Sequence, residues 1–154
     1  YRKMKIIKSN ILNIKSGIGC KIIEPCNLYE CVLGVNVFIG PFTEIQKNTY
    51  IGDNSKVQSH SFICEMVTIG KNCFIGHGVM FINDLFENNG PAQGDKTLWK
   101  ETKIGNNVSI GSNATILPIE ICDNVVIGAG SVVTKNIIEP GVYYGNPARK
   151  SNKK

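Results

Sequence analysis

Leucine and alanine are scarce in this chain of 154 residues, at 6 and 4. Helices hold these two residue types most readily, so a helix bundle is excluded and an alternating α/β domain is disfavoured. In their place stand 22 Ile, 12 Val, 17 Asn and 16 Gly. Ile and Val are stiff at χ1 and suit a pleated surface, while Asn and Gly supply corners. No apolar run approaches the roughly 20 residues that span a bilayer, and no apolar stretch of a secretion leader follows Tyr1-Arg2-Lys3-Met4. The expectation is a cytoplasmic protein without a membrane span, whose natural start is Met4. None of the 6 cysteines falls in a CxxC pair, and the Cys26 to Cys31 spacing is not one that zinc uses. They read as buried free thiols. The net charge of +5 is dispersed except at Arg149, Lys150, Lys153 and Lys154. No aromatic-basic interleaving accompanies that tail, so it reads as a solvated end and not as a nucleic-acid surface.

The length suits one domain with a core, and 42% hydrophobic against 19% charged residues supports a folded chain. Its organisation is periodic. An aliphatic residue recurs every sixth position at Leu33, Ile39, Ile45, Ile51, Val57, Ile63, Ile69 and Ile75, with Phe81 next. Four residues after each aliphatic one stands a small or β-branched residue: Val37, Thr43, Thr49, Ser55, Ser61, Val67, Cys73, Val79. The pattern resumes at Ile104, Ile110 and Ile116, slips by one at Leu117-Pro118-Ile119, and continues at Ile121, Ile127 and Val133. Neither an amphipathic helix nor an alternating strand has a period of six. One short strand plus one corner does, and three such units close a triangular coil of about 18 residues that stacks on the next.

This repeat resembles that of the hexapeptide ("isoleucine patch") acyltransferase superfamily, over about Ile11 to Arg149. The resemblance implies an all-β fold, a left-handed parallel β-helix. Residues 1–154 then form one domain, with a protruding loop at about 84–103 and a C-terminal segment at about 138–154. The loop carries Leu98 and Trp99, costly to leave in water, so it should pack on something. The family also implies a homotrimer with sites at the subunit boundaries.

Positions 18 apart should stack, which sets Asn83 over Glu65 and His77 over Ser59, beside His60. His60, Glu65, His77, Asn83 and Asp84 are therefore expected to gather near the root of the loop. A neutral His can take a proton from an attacking amine or hydroxyl, and corner His and Asn also satisfy turn backbone. The stretches Gln58 to Glu65 and Gly76 to Asp84 look like the branch that N-acetylates nucleotide-linked (dTDP- or UDP-) amino sugars for surface glycans. That resemblance implies Asn83 as the residue orienting the amine, with His77 and Asp84 as base or relay. His60, Glu65, Phe86 and Trp99 become substrate contacts. Where the branch carries a Tyr-Pro-Arg stretch, this chain has Phe86-Glu87-Asn88, which leaves Lys96 or Lys100 to meet a phosphate.

The resemblance further implies acetyl-coenzyme A, or another acyl-coenzyme A, as co-substrate without a metal. It would lie along Gly111, Ser112, Ala129 and Gly130, with Lys135 and Arg149 as cations for its phosphates. The 2 histidines fall short of the three that a γ-type carbonic anhydrase needs on this helix. An O-acetyltransferase acting on a small hydroxyl acceptor, which requires a true general base, is the alternative. A non-enzymatic assembly scaffold is the third reading, and the polar cluster opposes it.

Overall fold

Each hexad folds as the spacing predicts: a strand of two or three residues, then a corner. In the computed structural model, residues 10–151 are described; Tyr1 to Met4 and the end of the basic tail, Lys153 and Lys154, lie outside them. The strands form three sheets of 7, 6 and 8 members, one on each face of a triangular prism. Together they make a left-handed parallel β-helix of about seven turns. The first face holds Glu44–Ile45, Phe62–Ile63, Met80–Phe81 and Thr115–Ile116. The second holds Tyr50–Ile51, Val67–Ile69 and Thr102–Ile104, and the third Lys56–Val57, Phe74–Ile75 and Ser109–Ile110.

The isoleucines at sixfold spacing are buried in columns along the prism axis, Ile45 under Ile63 on one face and Ile51 under Ile69 on another. Coils of 18 residues give way to coils of 17 after the slip at Leu117-Pro118-Ile119, where Ile104 meets Ile121 and Ile110 meets Ile127. The small inward residues lie buried at the corners. There Thr43, Thr49, Ser55 and Ser61 each donate a side-chain hydrogen bond to the carbonyl fifteen residues on. The corners also use the asparagines. Asn36, Asn48, Asn54, Asn72, Asn107, Asn113 and Asn124 all hold positive φ, which Asn tolerates better than other side-chain-bearing residues.

Three features differ from the sequence reading. The insertion ends at residue 101, since Thr102–Ile104 already pairs with Val67–Ile69. Within the C-terminal segment, Gly141–Gly145 continues the parallel ladder on Val125–Ile127 but pairs on its other side antiparallel with Ala148–Lys150, a hairpin the spacing does not specify. Of the six free cysteines, Cys26, Cys31, Cys64 and Cys73 are buried while Cys20 and Cys122 are half-buried. Burial pushes the thiols of Cys31 and Cys64 up to about 11 and about 12, so they remain neutral.

Thr102 is the exception to the corner rule. Its Oγ1 is the one buried side-chain oxygen or nitrogen without a partner among the described residues. The four donors above lie in 18-residue coils, whereas the coil that Thr102 opens is one residue shorter. Replacing an unsatisfied buried hydroxyl by a methyl removes a desolvation cost. Thr102→Val is therefore expected to keep or raise the melting midpoint. Thr49→Val, which breaks a made hydrogen bond, should lose about 1 kcal/mol. Thermal unfolding of the two variants side by side checks both.

Candidate active site

The prism has three vertices, and the candidate residues divide between two of them. The first vertex, between the third and first faces, is the stack of corners at 41–42, 59–60, 77–78, 112–113 and 129–130. His60, His77, Ser112, Ala129 and Gly130 all stand on it, with Gly111 one residue before. The second vertex, between the first and second faces, carries Glu65-Met66 and, one coil on, the whole insertion from Asn83. Six residues of nearly extended chain separate His77 from Asn83, roughly 15–20 Å at about 3.3 Å each. Within one chain the structure does not bring the two histidines to Asn83, Glu65 and Asp84.

The stacking predicted at each vertex is present. His77 Nδ1 lies 2.8 Å from the Oγ of Ser59, the neighbour that the spacing of 18 sets beneath it, though Ser59 is not among the candidate site residues that the sequence suggests. His60 has positive φ and its ring stacks on Phe42 at 4.9 Å between centroids. Gly111 is a glycine for the fold's sake, since a Cβ there would fall 2.4 Å from the Ala129 nitrogen. Gly130, at φ +68°, opens onto empty space and leaves its corner accessible. Lys135 and Arg149 converge on one cleft of about 280 Å³ between the last coil and the closing hairpin, with Thr134, Asn136 and Tyr143.

At the second vertex Asn83 Nδ2 donates to the Glu65 carbonyl at 3.3 Å. The Lys100 amide donates to the Asn83 carbonyl at 2.9 Å and closes the neck of the loop. The carboxamide therefore turns its Oδ1 away from the coil below. Both oxygens of Asp84 are occupied by loop amides, Phe86 N at 2.9 Å and Ala92 N at 2.7 Å, so this carboxylate staples the loop. Glu65, only 7% exposed, accepts two hydrogen bonds from Lys96 Nζ at 3.0 and 2.9 Å. That contact holds the Lys96 ammonium above the ordinary lysine value. Lys96 also lies over the Trp99 ring, 5.1 Å from its centroid, and Trp99 and Leu98 are half-buried. The loop packs as its apolar residues require. Lys100 pairs with Glu87, so both lysines considered for phosphate are engaged within the loop and its root. Phe86, near the start of the loop, is exposed.

Two family profiles match the chain. "Hexapeptide repeat of succinyl-transferase" covers residues 66–80 and 101–135, and "Bacterial transferase hexapeptide (six repeats)" covers 30–65. The bifunctional protein GlmU of Latilactobacillus sakei is 36% identical over 149 residues, 96% of this chain and 29% of its own length. The chain spans between 21% and 31% of the GlmU proteins of this kind that it matches. Among solved structures, the Vibrio cholerae hexapeptide-repeat acetyltransferase VCA0836 with acetyl coenzyme A has TM-score 0.64 at 25% identity, over 74% of this chain and 66% of its own. A maltose O-acetyltransferase from Clostridium difficile 630 has TM-score 0.57 at 27%, over 94% and 68%. PerB from Caulobacter crescentus, with CoA and GDP-perosamine bound, shares the fold at TM-score 0.63 and 15%, over 94% and 58%.

Removing Lys96 strands a carboxylate that is nearly buried. Lys96→Met should cost about 1–3 kcal/mol. It should also shift the emission of Trp99, the chain's single tryptophan, to the red as the loop loosens. Adding Glu65→Met should recover much of the stability but not the emission, as chemical denaturation followed by fluorescence would show.

Proposed function

Because this chain belongs to the hexapeptide-repeat transferases, we propose that it is an acyl-coenzyme A-dependent N-acyltransferase. Its acceptor is the amino group of a nucleotide-linked sugar, and its donor is acetyl-coenzyme A. The observation that carries this reading is the setting of Asn83. With Nδ2 committed to the Glu65 carbonyl, Oδ1 is the atom left to accept a hydrogen bond, which suits an N–H donor. Neither carboxylate beside it is a free base, since Glu65 is held by Lys96 and Asp84 by two amides. An amine can attack without one. Its lone pair adds to the thioester carbonyl, the tetrahedral adduct expels the coenzyme A thiolate, and that sulfur takes the proton from nitrogen. Positioning then supplies most of the rate.

The donor would run along the first vertex, past Ser112 and the open corner at Ala129 and Gly130, to Lys135 and Arg149. Donor and acceptor sites so placed lie on different vertices of one chain. They meet if vertices of neighbouring copies pack together, which is the physical reason to propose a homotrimer with shared sites. The setting would be the cytoplasm, in the supply of sugars for surface glycans.

A hydroxyl acceptor is the second reading, favoured by the Ser59–His77 contact, which holds Nδ1 and leaves Nε2 as a base. Thiol release from acetyl-coenzyme A with dTDP-, UDP- and GDP-linked amino sugars, and with simple sugar alcohols, separates the two. For an amine acceptor, Asn83→Ala should lower kcat/KM about 100-fold, and His77→Ala less than about tenfold. Loss of about 100-fold or more in His77→Ala, with transfer to a hydroxyl, would establish the second reading instead. Light scattering should give a trimer; a monomer at micromolar concentration contradicts the shared site.

A further inference from the structure

Phe42 occupies a position that the fold gives to other residues. The second residue of most corners holds positive φ, and along the first vertex from Phe42 onward that place is otherwise taken by His60, Gly78, Asn113 and Gly130. A bulky aromatic side chain there, at φ 58°, is strained by contact of its Cβ with the backbone. Burial does not compensate, because Phe42 is 58% exposed. Its ring instead stacks on His60, which is also exposed and also at positive φ, with an interplanar angle of 28°. Beside Phe42 opens a cleft of about 320 Å³ whose walls include Pro25, Asn27 and Glu44. Strain held at an exposed aromatic pair beside a cleft is the mark of a binding surface more than of packing.

We infer that Phe42 and His60 form a stacking shelf for the nucleobase of the acceptor. This rests on the proposal that the acceptor is nucleotide-linked. His77 stands one coil beyond His60 and two beyond Phe42, about 10 Å at the usual strand spacing. Where this vertex packs against the second vertex of a neighbouring copy, a diphosphate and sugar can bridge such a distance and bring the amine to that copy's Asn83. Any base offers a π-face, so the shelf accepts pyrimidine or purine and leaves the choice between them to the cleft. The adenine of coenzyme A is a second source of such a ring. Its phosphate cations, however, lie at the opposite end of the prism, near Lys135 and Arg149.

The test uses the substitution the fold itself recommends. Phe42→Asn places at the corner the residue type found at most others, so its melting midpoint should equal or exceed that of the parent. The chain has 2 histidines, so the ring-proton resonances of His60 are assigned by comparison with His77→Ala. Adding dTDP, UDP or GDP to the full chain should shift the His60 resonances saturably for at least one of them. Phe42→Asn should weaken that affinity tenfold or more. The inference is overturned if no nucleoside diphosphate shifts His60, if coenzyme A alone does, or if Phe42→Asn binds as the parent does. It is also overturned if that variant loses binding only because it unfolds, visible as a lowered midpoint. Failure of the underlying reading looks different: nucleotide binds at the shelf, yet no nucleotide-linked amino sugar accepts an acetyl group.

Discussion

The hydrogen bond from one coil to the next constrains everything else in this molecule. Gly40 N donates to Val57 O at 2.8 Å and Gly76 N to Ile110 O at 2.8 Å, and the same bond repeats up every face. To keep that ladder, most corners turn in two residues, and the second of these takes a left-handed conformation. Backbones then approach so closely that several corners admit no Cβ, as at Gly111. Residues at such corners are chosen by geometry first. A side chain that geometry does not favour, Phe42 above all, therefore carries information about what the protein binds.

The periodicity made most of the architecture legible. Which residues face inward, which coil covers which, and where the repeat breaks all follow from a spacing of six. The abundance of asparagine is explained at the same level, by corners with positive φ. What spacing could not show was the angular separation of neighbouring hexads. His77 and Asn83 are six residues apart, and six residues is one full side of the triangle. A count of 18 identifies vertical neighbours such as Ser59 with His77 and Glu65 with Asn83. It says nothing of how far apart two vertices stand.

The loop resisted reading for a different reason. Its contacts depend on side chains whose reach is not periodic: the Asp84 carboxylate bridges eight residues to the Ala92 amide, and Lys96 returns 31 residues to Glu65. Asp84 and Lys96 hold the loop in shape, while Asn83 commits its side-chain nitrogen to the coil below and leaves its oxygen to another donor. The chemistry proposed for this fold is thus placed at departures from the repeat, and each departure has its own structural support.

The insertion leaves the ladder in register. Ile69 meets Ile104 across 35 residues as squarely as Ile51 meets Ile69 across 18. In polymer terms, doubling the length of chain between two contacts adds only about 0.6 kcal/mol of closure entropy. The second vertex is therefore a point where chain length is nearly free of thermodynamic consequence. A prism of this kind can exchange one loop for another of different size and composition, altering what it recognises, while the folding of its coils proceeds unaltered.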